Sequence, residues 1–409
     1  MENIIQFGTG AFLRGFVDWM ISEVCKKTDF DSKITVIQST ERGLADAINT
    51  SPEYTLVARG IENGVPTVKN YRVNSLAGCV NTATDYDAFL ALAKDESYKY
   101  IVSNTTEAGI AYNPDDRSNL PAKSFPAKLT QLLYERFNAG LGGFTILPCE
   151  LIENNAEELK NIVLRYITEW NLGEEFAKWV KCENKFLNTL VDRIVTGFDE
   201  SVGDENPLTN TSELYHIWVI EGEDIGIPFE EAGLNVVYTD NLDKYRTRKV
   251  RILNGAHTSL IPYALLEGEA TVLDAIGNAK LKEHLEGCLR EVLPTLTSLY
   301  SEEELNSYMR EVIERFSNPY IKHKCSAIAL NSISKFKVRC LPSIKDYYEI
   351  YKKPPKNLSV ACDKLIEFYK ESTPCDDAAL IEYISTHTRE EILSGGVVFG
   401  EDISKYIAG

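Results

Sequence analysis

The run Lys249-Val250-Arg251-Ile252-Leu253-Asn254-Gly255-Ala256-His257-Thr258 brings three chemically useful side chains close together in sequence. Asn254 and His257 are one helical turn apart. Lys249 precedes His257 by two turns, with an offset of under a quarter-turn. On a helix, all three can converge on one small ligand. An amine, an amide and an imidazole around one oxygen suit the interconversion of a carbonyl and an alcohol. The lysine donates a proton to the new alkoxide in reduction and removes it in oxidation, while Asn254 and His257 hydrogen-bond the developing oxyanion or its neighbour. Such a lysine must release its proton more readily than in water, and burial beside Arg248 and Arg251 would have that effect. The same spacing also suits a mixed helix whose histidine is satisfied by backbone, so the chemistry has to be supported elsewhere in the chain.

That support comes from the N-terminus. Gly8-Thr9-Gly10 lies between the apolar run Asn3–Phe7 and a segment from Ala11 whose apolar residues Phe12, Phe16, Met20 and Val24 recur every four positions. A glycine turn between the first strand and first helix of an α/β unit is the place for a dinucleotide. The first glycine makes the turn, and the second lets a pyrophosphate approach the backbone at the helix N-terminus. The third glycine of the usual fingerprint is missing, since position 13 is Leu13. Arg14 stands one turn into the helix and can reach a phosphate. After the second strand, Glu41 offers an acceptor for the adenosine ribose and Arg42 a partner for a 2′-phosphate, which leaves NAD and NADP both open. The segment Ser103-Asn104-Thr105-Thr106-Glu107-Ala108-Gly109 ends a further apolar strand and offers donors and acceptors to a nicotinamide, its ribose or a polyol. It also reads as a helix cap. Pro148-Cys149-Glu150-Leu151 ends the next strand. Cys149 has no histidine beside it and reads as packing.

These sites need a frame, and composition bounds it. The chain has 409 residues, 44% of them hydrophobic, which favours two domains. A net charge of −18 argues against nucleic acid and predicts that an anionic substrate needs locally placed Lys and Arg. Nine cysteines without C-x-x-C spacing, and no H-E-x-x-H, predict no disulfide framework and no metal site. No leader or membrane span is expected, so the protein is read as cytoplasmic.

Strands at Ile34–Ile37, Tyr100–Ser103 and Phe144–Leu147 alternate with helices at Tyr86–Ala93 and Lys128–Asn138, while Tyr54–Ala58 and Val68–Val73 read as a hairpin. This predicts a doubly wound, Rossmann-like α/β domain over residues 1–239. On its first helix, Arg14, Asp18, Ser22 and Lys26 form the polar face. Beyond Asp240 the patterns are helical, at 242–266, 279–292, 301–316, 327–336 and 358–370, giving a mostly α-helical catalytic domain over 240–409 that begins where a cleft is expected.

Taken together, Phe7-Gly8-x-Gly10-x-Phe12-x-Arg14-Gly15, Thr106-Glu107-x-Gly109 and Lys249-x4-Asn254-x2-His257 resemble the polyol-specific long-chain dehydrogenases, the mannitol dehydrogenase family. The resemblance spans essentially the whole chain and implies a zinc-independent, NAD-linked oxidoreductase working as a monomer or weak oligomer. It implies that Phe7, Gly8, Thr9, Gly10, Phe12, Arg14, Asn104, Thr105, Thr106 and Glu107 hold the cofactor. It further implies that Lys249 is the general acid/base, with Asn254 and His257 polarising the carbonyl.

Two departures bear on the substrate. The family's oxyanion asparagine after the Phe144–Leu147 strand is Leu151 here. In the run from Asn318 to Lys335, the family's aspartate is His323, between Lys322 and Lys324, and its arginine is Ala327, while Lys335 remains. The local field turns positive, which favours a keto sugar acid over a neutral hexitol, with Lys335 and His323 binding substrate. The alternatives are a reductase of an isomeric keto-uronate, a hexitol dehydrogenase, or a nucleotide-binding protein without turnover.

Overall fold

Short runs of apolar, often β-branched residues become fully buried strands because only a sheet covered on both faces hides every side chain. The computed structural model, which describes residues 1–106 and 108–408, places thirteen strands in its first 239 residues. They are β1 (Asn3–Phe7), β2 (Ile34–Gln38), β3 (Tyr54–Glu62), β4 (Val65–Val73), β5 (Leu76–Asn81), β6 (Tyr98–Ser103), β7 (Thr145–Pro148), β8 (Lys185–Phe186), β9 (Thr189–Asp192), β10 (Val195–Gly197), β11 (Asn210–Glu213), β12 (Ile217–Glu221) and β13 (Val236–Thr239).

The main sheet has the order β5-β2-β1-β6-β7-β8 and every pair in it is parallel. Ile5 of β1 pairs with Thr35 on one side and Ile101 on the other. Chain order runs outward in both directions from β1 and β6, so the ligand position of such a sheet lies at their carboxyl ends. Successive residues of each strand feed opposite faces. Ile4, Val36 and Val102 join a core with helix Val17–Lys27, whereas Ile5, Phe7, Ile37 and Ile101 join one with helix Phe125–Asn138. Two smaller sheets, β10-β11-β3-β4 and β13-β12-β9, complete the α/β part.

Three expectations change here. The segment from Ala11 is two helices, Ala11–Arg14 and Val17–Lys27, separated at Gly15 and Phe16. A Cβ on Gly15 would lie 2.8 Å from Val195 and 3.0 Å from the Asn210 amide, so β10 and β11 press into this break. The expected polar face is also not solvated, since Arg14, Asp18 and Ser22 are all buried. Tyr54 donates to the Arg14 carbonyl, Ser75 to the Asp18 carbonyl and Ser22 to Asn74 Oδ1. The start of β3 and the turn between β4 and β5 thus supply the partners of that face. Finally, the sequence pattern did not reveal the strands from β8 to β13, which are two to five residues long, too short for periodicity to register.

The chain separates into two compact units. One is Met1–Arg59 with Val68–Leu242; the other is Gly60–Thr67, the tip of the β3–β4 hairpin, with everything from Asp243 onward. The turn at that tip has Asn63 and Gly64 both at positive φ (54° and 78°), the geometry of a tight two-residue hairpin.

The second unit is helical. Its central helix, Gly255–Leu266, is buried over most of its length and is packed by Ala279–Val292, Ser332–Arg339 and Lys356–Glu371. The predicted helix 327–336 is instead two, Cys325–Ile328 and Ser332–Arg339, because Asn331 adopts a left-handed φ of 53° between them. Among the described residues, no helix is long and apolar enough to cross a membrane.

Candidate active site

At the carboxyl end of β1 the chain turns through Gly8 at φ +120°, where a Cβ would also sit 3.0 Å from the Asn104 carbonyl. Both facts require glycine. Gly10, by contrast, caps helix Ala11–Arg14 with φ −64°, and a Cβ placed on it would meet nothing within 4 Å. Its Cα faces open space, which is what a close-lying phosphate group needs. Phe7 is buried against Phe89 and Phe125, and Phe12 stacks on Phe16 with ring centroids 5.1 Å apart. Arg14 points inward, with Nη1 donating to the Thr9 carbonyl and Nε to the Leu208 carbonyl at 3.3 Å. It braces the glycine turn from beneath, and burial lowers its pKa.

The loop after β6 lies beside this turn. Asn104 donates to the Cys149 carbonyl at 2.7 Å. Glu150, buried at the end of β7, accepts from the Thr105 amide at 2.8 Å, from the Thr105 hydroxyl at 2.9 Å and from Ser103 at 2.9 Å. Burial raises its pKa, and those hydrogen bonds act against the rise. Thr106 follows at φ +76°, an uncommon conformation for a β-branched residue and one that marks a tightly determined loop. Glu107 lies outside the described residues. Glu150 was invisible as a site residue in sequence, although an acid directly after a buried parallel strand is the signal that reveals it. Cys149 is fully buried and its thiol is pushed well above its ordinary pKa, consistent with packing.

In the second unit, Lys249–Asn254 forms a π-helical turn between helices Leu242–Arg248 and Gly255–Leu266. The Gly255 amide reaches back five residues to the Val250 carbonyl. A π turn holds one residue more than the α turn it replaces. Eight residues from Lys249 to His257 therefore cover the arc of seven, and their angular offset falls from about 80° to about 20°. The turn aligns Lys249, Asn254 and His257 more closely than a uniform helix does. Arg251 is committed to Ser343 and Asp346, both at 3.0 Å, and the Arg248 guanidinium lies over the rings of Tyr308, Tyr300 and Tyr245 at 4.3, 5.0 and 5.3 Å.

Around His257 the structure gathers an aromatic and basic shell. Its ring stacks on Phe316 at 4.1 Å and meets His323 edge-on at 5.1 Å. Nε2 is buried and has no hydrogen-bond partner among the described residues. Burial first, then the charges of His323, Arg315, Arg339 and Lys335, holds His257 well below its usual pKa, so it is neutral. Burial also lowers His323. Lys335 is half-buried and donates to the Ile328 carbonyl at 2.8 Å. Asn254 is half-buried, and no residue of the described chain bonds its side-chain amide. Phe316 and Arg339 escaped the sequence reading because nothing in their local pattern distinguishes them from core and surface positions. Leu151 is 63% exposed.

Comparison with known proteins adds to this geometry. Residues 2–228 match the family model described as the mannitol dehydrogenase Rossmann domain, and 241–391 match the mannitol dehydrogenase C-terminal domain. The altronate oxidoreductase of Bacillus subtilis (strain 168) is 42% identical over 401 residues, covering 93% of this chain and 83% of that protein. The altronate oxidoreductase of Bacteroides thetaiotaomicron is 36% identical over 437 residues, covering 99% and 91%. Among solved structures, substrate-free D-sorbitol dehydrogenase superposes with a TM-score of 0.84 at 22% identity, covering 98% of this chain and 88% of that one. The ternary complex of Pseudomonas fluorescens mannitol 2-dehydrogenase with NAD and D-mannitol gives 0.72 at 18% identity, covering 100% and 87%. These two structures share the fold.

Proposed function

The chain belongs to the mannitol dehydrogenase family, and from that premise we propose that it is an NAD-dependent oxidoreductase interconverting D-tagaturonate and D-altronate. Support for the reading comes from the π turn, whose spacing brings Lys249, Asn254 and His257 toward one face, and from the neutral His257 imidazole, whose Nε2 has no partner among the described residues. Curated relatives at 36–42% identity that bear the name altronate oxidoreductase support the substrate.

The glycine turn fits a dinucleotide, because Gly8 holds a backbone conformation that side chains resist and Gly10 leaves its face open. When bound, NAD supplies or accepts the hydride. The protein's own residues do the rest. Glu150 holds Thr105, and the Cys149 carbonyl holds Asn104, so the loop after β6 is set before any ligand arrives. In reduction, Lys249 delivers the proton to the former keto oxygen; in oxidation it removes it. The Asn254 amide donates to the same oxygen. His257 stays neutral, so it donates one N–H without adding a second charge beside the lysine. Phe316 fixes the plane of the imidazole by stacking on it.

The acidic surface suits a small-molecule partner rather than nucleic acid. We read the enzyme as cytoplasmic and as a monomer or weak oligomer. The test is NADH consumption, followed by absorbance, with D-tagaturonate, D-fructuronate and D-fructose in parallel. Preference for tagaturonate is expected. Preference for fructuronate reassigns the sugar acid, preference for fructose removes the carboxylate from the account, and NADH binding without turnover leaves a nucleotide-binding protein.

A further inference from the structure

We propose that Arg339, with Lys335 one turn before it, forms the subsite that receives the carboxylate of the substrate, on a helix packed against the one that carries His257. The inference rests on the sugar-acid reading above and adds the residue that discriminates acid from neutral sugar.

Lys335 and Arg339 occupy the same face of helix Ser332–Arg339, at a spacing where like charges oppose helix formation. Both are half-buried. Each spends a hydrogen bond on a neutral oxygen: Lys335 Nζ on the Ile328 carbonyl at 2.8 Å, and Arg339 Nη1 on Thr258 Oγ1 at 3.3 Å. A guanidinium has five N–H donors, so Thr258 leaves most of the fork unused. Among the described residues no carboxylate pairs with Arg339. The carboxylate whose charge Lys335 feels, Asp376, already accepts from the Tyr369 hydroxyl.

The charges of Arg339 and Lys335 both act on His257, and His323 meets that ring edge-on at 5.1 Å. Lys335 and Arg339 are thus grouped with two neutral imidazoles, and among the described residues the buried Nε2 of His257 has no partner. Positive charges held half-dry without a counter-ion are unfavourable until an anion arrives. In a chain of net charge −18 the arrangement is also unlike the rest of the surface. A planar carboxylate matches the guanidinium fork with two parallel N–H···O bonds, and Lys335 adds a point charge. Burial keeps His323 uncharged, so it can donate one further N–H without adding to the repulsion. The division of labour follows: Lys249, Asn254 and His257 serve the keto end of the sugar, Arg339 and Lys335 its acid end.

The test compares the full-length enzyme with Arg339→Gln, using D-tagaturonate and D-tagatose, the same ketose with a hydroxymethyl group in place of the carboxylate. D-Tagatose is measured as a substrate or, if turnover is slow, as an inhibitor. For Arg339→Gln the KM for tagaturonate should rise about ten- to hundredfold with kcat changed little, the loss expected for one charge-assisted pair. The constant for tagatose should stay within about twofold, and Arg339→Lys should recover part of the loss. An equal loss for both sugars overturns the subsite while leaving the sugar-acid reading intact. A parent enzyme that prefers tagatose to tagaturonate overturns both.

Discussion

The two units position their candidate site residues by opposite means. In the first, position is set by backbone: a glycine at φ +120°, a threonine at φ +76° and two strand ends tied together by one buried acid, Glu150. In the second, position is set by side chains from distant parts of the chain, with His257, Phe316 and Arg339 on three helices and His323 in the loop before Cys325–Ile328. A backbone-built cradle accepts a cofactor whose phosphates are common to many enzymes. A side-chain-built wall can change one residue at a time and so change the substrate.

The largest effect expected from this contrast is on the chemical step. Lys249→Met should lower kcat by about 10²–10⁴-fold, the usual contribution of a positioned acid, while NADH titration shows unchanged affinity. Comparable turnover would remove Lys249 from its role. Next comes a measure of how far the first unit depends on its buried polar face. Burial raises the Asp18 carboxyl from 3.8 to about 7, against the opposing pull of Arg14. A raised carboxyl contributes stability that is complete below the unfolded value and is lost as pH rises through the folded one. The Tm of the parent should therefore fall, relative to Asp18→Asn, between pH about 4 and about 7, by the equivalent of a few kcal/mol. A constant gap over that range would show Asp18 to be charged or solvated.

Gly10→Val should weaken NADH by about tenfold or more through crowding at the phosphate position, with Tm unchanged because the side chain meets no protein atom. A drop in Tm with affinity intact would contradict the open face assigned to that glycine. The smallest effect belongs to Glu150→Gln. The amide keeps most of the acceptor geometry, so about 1 kcal/mol of stability should be lost, with a few-fold rise in the KM for NADH. An unaffected cofactor KM would separate the β6 loop from cofactor binding.

The legibility of the two units differs for the same reason. Strand, glycine turn and helix are local patterns, so β1, β2, β6, β7 and the turn at Gly8 could be read directly. The helix after Gly10 was read as continuous and amphipathic because periodicity registers apolar positions and not the distant segments that supply partners to the polar ones. Lys249, Asn254 and His257 were legible as residue types, yet the reading assumed α-helical spacing throughout, and a π turn leaves no mark in hydrophobic period.

The amino-acid order by itself determined the parallel sheet, the position of the glycine turn and the spacing of the candidate residues Lys249, Asn254 and His257, because each depends on neighbours a few positions away. Tertiary structure alone decided that the helix tightens into a π turn at Lys249–Asn254, that Arg14 turns inward to brace the glycine turn, and that Arg339 bonds Thr258. Such outcomes follow from packing between segments tens of residues apart, where burial and hydrogen-bond satisfaction choose the direction of a side chain and no local pattern records the choice.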